Sequence, residues 1–410
     1  MQSAYMPESR TERFRILYST AEIHPCFRAD VVVLFGKYLP RLGIESDLMA
    51  LHSALRPPAW AGGSRLTIRG PDKGAKRHLL SVCSDLRMLW RVRQGYQAVI
   101  VRDKSIGALI GLLAARMVGI PFVYWMSFPM VEAWAVFARD RGLSVGVLRW
   151  LSAKARATLL RWLLYRVVLP RADHVFAQSD VMVADLCRKG LSPDRLSAVP
   201  MGVDTEAMPE LLLRRPDREA GVVPVFAYLG TLNRPRLPEI MLEGLALLRA
   251  RGVDARLLLV GDAEEAADRQ WLRDCMARLD IAEHVELTGW LAGDEGWKRC
   301  ASAVAGLSPF PRTELLESAS PTKLVEYFNL GLPVIANDQP DQAFLLHAAG
   351  GACAPLTPQG FADAMQDILA RPEHHAKIAK AGQALVRATR SYAALAQQVA
   401  AVLRRCRSRG

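Results

Sequence analysis

The residue types best suited to chemistry are concentrated between Ser318 and Asp338, in the sequence SASPTKLVEYFNLGLPVIAND. This segment starts with a polar, proline-containing stretch and continues with helical periodicity around one acid, Glu326. It then reaches Gly331 and a short apolar run. Proline favours the first helical turn and glycine the position after the last one. The order therefore predicts a loop, a helix and a buried strand.

The predicted helix start is suited to holding a phosphate. The backbone N–H groups of Thr322, Lys323 and Leu324 have no partner inside the helix, and the helix dipole adds partial positive charge there. Glu326 follows about one turn later, where its carboxylate accepts hydrogen bonds from a pair of sugar hydroxyls. We predict a nucleotide-diphosphate site. The alternative is an ordinary structural unit, because loop–helix–strand units occur in every α/β protein.

The elements around this segment repeat a strand–helix rhythm. The predicted strands are residues 225–230, 255–261, 285–289, 303–308 and 333–336, and the predicted helices are 238–251, 264–279, 294–300 and 321–330. Gly230, Gly261 and Gly289 each end a strand. The carboxyl ends of parallel strands form the edge where open α/β sheets bind ligands, so we expect these glycines beside the helix start.

Two arginines, Arg234 and Arg236, follow the first of these strand ends in the sequence LGTLNRPRLPE. A guanidinium offers planar, paired donors that suit a diphosphate. Solvated loop charges are the alternative for both residues.

The first half alternates in the same way. Its predicted strands are residues 13–19, 44–51, 98–102, 122–126 and 174–178, and its predicted helices are 27–42, 105–118 and 180–188. This pattern predicts a parallel, Rossmann-like sheet. Residues 56–76, rich in proline, glycine and bases, predict a surface loop. Residues 205–222 have the mixed composition of a linker, so we place the domain boundary there.

Composition excludes several classes of protein. With 410 residues, 51% of them hydrophobic and 23% charged, the chain is long enough for two to three folded domains. The seven cysteines are scattered without a CxxC pair, which predicts neither a zinc site nor a disulfide framework and favours a reducing, cytoplasmic setting. We expect no signal peptide and no membrane-spanning helix.

Half of the formal net charge of +12 lies in one stretch, from Val145 to Arg171. Its six bases alternate with leucine, valine and aromatic residues, without an acid between them. This pattern predicts an amphipathic helix on an anionic membrane surface, peripheral to the inner face of the cell membrane. The alternative is a helix that packs its apolar side on its own domain. The chain has no pattern of a nucleic-acid-binding motif, so we expect no nucleic acid partner.

Several motifs together resemble retaining, family-4-like glycosyltransferases of group 1, which have the GT-B fold. They are GVDTEAM after VP, the turn GTLNRPR, LLLVGD, VELTGWL and SPTKLVEYFNLGLPVIAND, in that order and spacing. The resemblance implies an α/β fold of two Rossmann-like domains facing a cleft, with a C-terminal helix crossing back to the first domain. We expect an acceptor-binding domain at residues 1–205 with about 390–410, and a nucleotide-sugar-binding domain at 206–389.

The resemblance also implies residue roles. Glu326 corresponds to the acid that holds the ribose, Arg236 to the phosphate-binding lysine, and Gly289 with Trp290 to the base-lining pair. Thr231 stands where a second phosphate-binding arginine is common, and Ser318 where many relatives have a first glutamate. The predicted catalytic residues are Arg236, Lys323 and Glu326. The predicted donor-binding residues are Gly230, Thr231, Arg234, Gly289, Trp290, Ser320, Thr322 and Leu324.

Four first-half residues are candidates for the acceptor side: Glu22, His24, Ser127 and Glu132. They follow predicted strands on the edge where an acceptor would enter, and ordinary structural roles are the alternative.

The implied reaction is transfer of a sugar from a UDP- or GDP-sugar with retention of configuration, to a lipid-linked or saccharide acceptor. We expect no cofactor, and no metal because the acidic clusters that bind Mg²⁺ are missing. A catalytically inactive member of the fold, binding a nucleotide sugar or a partner enzyme, is the alternative. The sequence leaves the donor base, the sugar, the acceptor, the linkage and the oligomeric state open.

Overall fold

The computed structural model describes residues 13–141, 146–207 and 222–408, and the chain divides into two units. Unit 1 comprises Met1–Val199 with Leu395–Gly410, and unit 2 comprises Pro200–Ala394. Both boundaries lie five or six residues from those expected from the sequence. Pairing around Val203 explains the shift, because its N–H donates to the Arg390 carbonyl (2.9 Å) and its carbonyl accepts from Tyr392 N–H (3.0 Å). Residues 208–221 of the predicted linker lie outside the described residues.

In the described part of unit 1, seven parallel strands form one sheet in the order β3-β2-β1-β4-β5-β6-β7. The strands are β1 Phe14–His24, β2 Ile44–His52, β3 Ile68–Arg69, β4 Ala98–Arg102, β5 Phe122–Met126, β6 His174–Ala177 and β7 Leu196–Ala198. The helices are α1 Ala29–Val32, α2 Leu39–Arg41, α3 Ala75–Leu86, α4 Met88–Arg91, α5 Ser105–Met117, α6 Met130–Arg141, α7 Val147–Trp162 and α8 Asp180–Arg188. A π-helical turn, Leu34–Tyr38, joins α1 to α2, and another, Leu163–Val168, continues α7.

The prediction of a surface loop at residues 56–76 was wrong in part. β3 pairs with β2 inside this segment, and α3 begins at its end. Trp60 is 5% exposed, and its indole N–H donates to the Ser46 carbonyl at 2.7 Å. The burial of this tryptophan ties the segment to the sheet, which the local composition of proline, glycine and bases does not indicate.

In the described part of unit 2, five parallel strands form a second sheet in the order β10-β9-β8-β11-β12. The strands are β8 Val225–Leu229, β9 Arg256–Val260, β10 Val285–Leu287, β11 Ala305–Ser308 and β12 Val334–Ala336. The helices are α9 Pro238–Ala250, α10 Ala266–Arg278, α11 Gly293–Ala301, α12 Thr322–Asn329, α13 Pro340–Ala348, α14 Pro358–Ala370 and α15 Pro372–Thr389. The last helix, α16 Tyr392–Ser408, starts in unit 2, and its residues from Leu395 onward belong to unit 1.

Each unit is thus a parallel α/β sheet with helices, and the predicted fold class of two Rossmann-like domains is confirmed. Within the described residues, no helix is long and apolar enough to cross a membrane.

Candidate functional site

Helix α12 carries the residues around which the site was predicted. It begins at Thr322, with Pro321 as its N-cap, and Gly331 follows it with φ +70°. The Gly331 N–H donates to the Phe328 carbonyl and the Leu332 N–H to the Tyr327 carbonyl, both at 2.9 Å. These two bonds form a Schellman motif, so the glycine stops the helix as its position in the sequence predicts.

Tyr327 fixes α12 on the sheet. Its side chain is fully buried, and its hydroxyl accepts the N–H of Leu229, the last residue of β8, at 2.8 Å. Its ring lies over Gly306 of β11, where a Cβ atom would come within 2.3 Å of the ring. The absence of a side chain at residue 306 therefore permits this close approach of helix to strand.

The three glycines that end strands lie together at the carboxyl edge of this sheet. The Gly230 N–H donates to the Val260 carbonyl at 2.8 Å, and Gly261 forms an isolated bridge with Gly289. A Cβ at Gly261 would lie 2.1 Å from the Gly230 carbonyl oxygen. Gly230 and Gly261 have φ values of +139° and +137°, which L side chains rarely adopt. Backbone therefore lines this edge closely.

Lys323 reaches from the first turn of α12 to the same edge. Its Nζ lies 4.9 Å from the centre of the Tyr228 ring. The same Nζ would lie 3.2 Å from a Cβ atom added at Gly230. The Tyr228 hydroxyl in turn donates to the Thr231 carbonyl at 2.9 Å. The ammonium group, the start of α12 and the Gly230–Thr231 turn thus come together.

Glu326, one turn into α12, has a raised pKa. Desolvation raises its pKa from 4.5 to about 7, and the charge of Lys323 and a hydrogen bond with Trp297 act in the opposite direction. Burial, and then the nearby Glu326, raises the pKa of the Cys300 thiol to about 12. Trp297 and Cys300 lie on α11, and sequence reasoning missed both. Their i,i+3 spacing on a predicted helix beside the Gly289 strand end was the available signal.

The two arginines after β8 differ in their surroundings. They lie in a 3-10 turn, Arg234–Arg236, whose next residue, Leu237, has a left-handed backbone with φ +56°. Arg234 pairs with Asp268 at 3.2 Å and stacks on Trp271 at 5.1 Å. Arg236 is exposed, and its guanidinium has no ion pair or hydrogen bond to any described residue. Arg236 is thus the more available of the two for an anion.

Among the remaining donor-side candidates, some groups are accessible to a ligand and others are buried or hydrogen-bonded within the protein. Trp290 is 56% exposed beside Gly289, so more than half of its surface is accessible. Leu324 is fully buried, which leaves its backbone N–H as the group at the helix start. The Ser320 hydroxyl is buried; it accepts from Met201 N–H at 3.0 Å and donates to Asp341 at 2.6 Å. Its side chain therefore supports the turn before α12.

Among the acceptor-side candidates, Glu22 and His24 lie within β1, which extends to His24, and not after the strand as predicted. The register of β1 against β2 shifts between residues 19 and 23, which explains why sequence periodicity ends the strand early. His24 is buried, with its Nε2 2.9 Å from the Pro58 carbonyl oxygen. Glu22 lies 3.6 Å from Arg28.

Ser127 and Glu132 are also engaged inside unit 1. Ser127 follows β5, and both its N–H and its hydroxyl bind the Asp103 carboxylate. Glu132, on α6, accepts from the Tyr165 hydroxyl at 2.6 Å and from the Lys189 ammonium at 2.8 Å. All four candidates thus have the contacts expected of their structural alternative.

A buried charge cluster at the carboxyl end of β4 was not predicted. Arg102 is fully buried and contacts Asp30 at 2.6 Å and Asp103 at 3.4 Å. Burial raises the pKa of Asp103, and Arg102 opposes this shift. Asp103 also has a left-handed backbone, with φ +54°. The charged run RDK, which starts at the last residue of an apolar strand, was the signal in the sequence.

The basic helical run was predicted from Val145 to Arg171, and it is described from residue 146. Its second part packs into the unit 1 core through Leu164, Val168 and Leu169. Its first part, α7, exposes Val147, Leu151, Leu159 and Trp162, at 57, 48, 62 and 56%. The second part therefore packs on its own domain, as the alternative predicts, and the first part presents apolar side chains to solvent.

Comparison with known proteins identifies two family profiles in adjoining parts of the chain. The profile described as Glycosyltransferase Family 4 matches residues 29–207, and the one described as Glycosyl transferases group 1 matches residues 223–371.

Two characterised relatives are each 26% identical to the chain. The GDP-mannose-dependent alpha-(1-6)-phosphatidylinositol dimannoside mannosyltransferase of Mycobacterium tuberculosis aligns over 191 residues, 44% of this chain and 47% of that protein, so the match spans about half its length. The 2-deoxystreptamine glucosyltransferase of Streptomyces kanamyceticus aligns over 365 residues, 86% of this chain and 83% of that protein.

Among solved structures, the crystal structure of HepE from Anabaena in complex with UDP and glucose is similar, with a TM-score of 0.67 and 17% identity. The superposition covers 96% of this chain and all of that one. At this identity the likeness concerns the fold.

Proposed function

The chain belongs to the glycosyltransferases of group 1, and we propose that it transfers a hexosyl group from a UDP- or GDP-sugar with retention of configuration. The observation that carries the proposal is the meeting of Lys323, the start of α12 and the Gly230–Thr231 turn at one sheet edge. The relatives named for GDP-mannose and glucosyl transfer, and HepE with its bound UDP, support both donor bases.

In the proposed complex, Glu326 holds the ribose hydroxyls and the N–H groups at the start of α12 meet the diphosphate. Lys323 and the exposed Arg236 neutralise the charge that develops on the leaving diphosphate. Trp290 and Gly289 line the base. No protein nucleophile takes part, so the rate enhancement comes from positioning and from preorganised positive charge.

We propose that the reaction proceeds without a metal ion, with Lys323 and Arg236 supplying the positive charge that the leaving diphosphate needs. In residues 13–141, 146–207 and 222–408, no three His, Cys, Asp or Glu side chains cluster as metal ligands would.

The proposed acceptor is a lipid-linked or growing saccharide at the inner face of the cell membrane. Support comes from α7, where exposed apolar side chains alternate with Lys154, Arg156 and Arg161. Such a surface suits the boundary of an anionic bilayer.

The donor side is tested by release of UDP from UDP-glucose and of GDP from GDP-mannose, with extracted membrane lipids as acceptor. We expect Arg236→Ala and Lys323→Ala each to lower kcat by about 100-fold, because each removes a charge that stabilises the leaving group. Glu243→Ala, which removes a carboxylate that lies 3.6 Å from Arg278, is the control and should leave turnover unchanged. Unchanged turnover in both cation variants contradicts the proposed site, and saturable nucleotide binding without turnover favours a non-catalytic role.

A further inference from the structure

A run of buried polar side chains follows β12 in the sequence NDQPDQ, residues 337–342. Asn337 and Gln339 are fully buried, and Gln342 is 1% exposed. Buried polar groups lower stability unless they are hydrogen-bonded, so a cluster of this size needs a partner for each group.

Gln339 finds its partners in the loop before α12. Its Nε2 lies 2.8 Å from the Ala319 carbonyl oxygen and 3.3 Å from those of Leu316 and Glu317. Its Oε1 accepts the N–H groups of Asp341 and Gln342, at 3.0 and 3.1 Å, and so caps α13. One side-chain amide thus joins the start of α13 to three carbonyl groups on either side of Ser318.

Other contacts hold the same loop from outside. Arg312 binds both carboxylate oxygens of Glu317, at 2.5 and 3.1 Å, and also contacts Asp338 at 2.7 Å. The side-chain amide of Asn337 accepts the Phe310 N–H through Oδ1 at 2.8 Å and donates from Nδ2 to the Phe310 carbonyl at 3.1 Å. The backbone from Leu316 to Ala319 is therefore fixed before any ligand binds.

This loop leads directly into α12, whose start would hold the diphosphate in the proposed function. The hexose is bonded to the outer phosphate, so the residues just before the helix start are placed to meet it. Ser318 supplies no carboxylate there, and it is itself 5% exposed. A sugar held by a backbone loop gains affinity only if the loop is already ordered, because ordering it on binding costs free energy.

We propose that Gln339 is a positioning residue for the donor sugar: its buried amide fixes the Leu316–Ala319 backbone in the conformation that holds the hexose. The inference rests on the proposed function and adds to it the means of sugar recognition. The sugar increment, defined as the Kd of the nucleoside diphosphate divided by that of the nucleotide sugar, measures this recognition without requiring turnover.

The test compares the increment of the wild-type protein with those of Gln339→Met and Gln339→Glu, using UDP with UDP-glucose and GDP with GDP-mannose. Both variants keep the side-chain length and remove the N–H donors. We expect the Kd for the diphosphate to change less than about threefold and the sugar increment to fall at least about tenfold, which corresponds to losing one or two hydrogen bonds.

Gln339→Glu adds a readout that a purely structural role would not give. A protonated carboxyl donates one O–H to the carbonyl groups, so its sugar increment relative to wild type should recover as the pH falls from about 8 to about 6. Asn329→Asp is the matched control, since Asn329 is a fully buried amide at the other end of α12, bound by Arg387 at 3.2 Å. It should lower stability and leave the sugar increment unchanged.

Equal loss of diphosphate and nucleotide-sugar affinity in the Gln339 variants, or an unchanged increment, overturns the positioning role. The positioning role is also overturned if the sugar increment of Gln339→Glu, relative to wild type, does not change with pH. If Gln339→Met does not fold, the glutamate variant decides. A wild-type protein that binds neither diphosphate overturns the proposed function itself, and the wild-type arm alone reports that outcome.

Discussion

At the scale of single residues, the raised pKa of Glu326 links the site to pH. The position of Glu326 in α12 leaves it only partly exposed to water, and this desolvation raises its pKa to about 7. The carboxyl is therefore largely protonated in mildly acidic solution. A ribose diol donates hydrogen bonds and so binds the ionised form. In the proposed complex, binding of a nucleotide therefore releases the proton wherever Glu326 carries one.

We expect the Kd for UDP or GDP to rise about tenfold as the pH falls from about 8 to about 6, since protonation of Glu326 then competes with binding. Isothermal titration over this range measures it. Glu326→Gln is the control, because it keeps the size of the side chain and removes its titration; it should bind weakly with little dependence on pH beyond that of the nucleotide. An equally steep profile in the glutamine variant assigns the proton to another group.

Local sequence identified some of these residues and not others. Glu326 and Lys323 were predicted because a proline marks the start of their helix and a glycine marks its end. Trp297 and Gln339 act through contacts to residues 326 and 316–319, on other elements. Such contacts depend on the distance between packed elements, and spacing along the chain does not contain that distance.

At the scale of elements, the edge made by Gly230 and Gly261 depends on missing side chains. Gly261→Ala places a Cβ 2.1 Å from a backbone carbonyl oxygen, which cannot move without displacing the turn that carries Thr231. Gly252→Ala is the matched control, because Gly252 has a positive φ of +81° with nothing within 4 Å of the added atom.

We expect Gly252→Ala to lower the free energy of unfolding by about 1 kcal/mol through backbone strain alone. Gly261→Ala should cost about 1–3 kcal/mol more through overpacking, and it should weaken UDP or GDP binding at least about tenfold. Urea unfolding and titration calorimetry measure the two effects. If both variants bind UDP or GDP equally well, the close approach of Gly230 and Gly261 has no part in binding.

Element prediction worked where an apolar run has clear ends. Strands β4 and β5 begin and end at the predicted residues, since glycine, proline or a charged residue lies within three residues of each end. The helix predicted at residues 27–42 is instead α1, a π turn and α2 in succession, and periodicity does not distinguish these backbone forms. The segment around Trp60 was misjudged because tertiary burial overrode a loop-like composition.

At the scale of the whole molecule, the topology explains why the meeting of the three strand-end glycines was predictable. Parallel strands bring every carboxyl end to one edge, so a sequence that shows only strands, helices and glycines already places Gly230, Gly261 and Gly289 together. Topology does not place the acceptor-side residues in the same way. Its candidates in unit 1 already have protein partners, which are buried for His24 and Ser127 and partly exposed for Glu22 and Glu132. The sequence alone does not indicate which polar groups such contacts occupy.

The surface of α7 leads to the last prediction, which concerns attachment to membranes. We expect the protein to float with vesicles that contain about one third anionic lipid and not with neutral vesicles, because each base near the surface adds about 1 kcal/mol. Leu159→Ser with Trp162→Ser should abolish flotation, since both side chains are more than half exposed. Phe344→Ser, an equally exposed aromatic change on α13 of unit 2, should leave it intact. Flotation of the double variant with anionic vesicles at the wild-type level would assign α7 no part in membrane attachment.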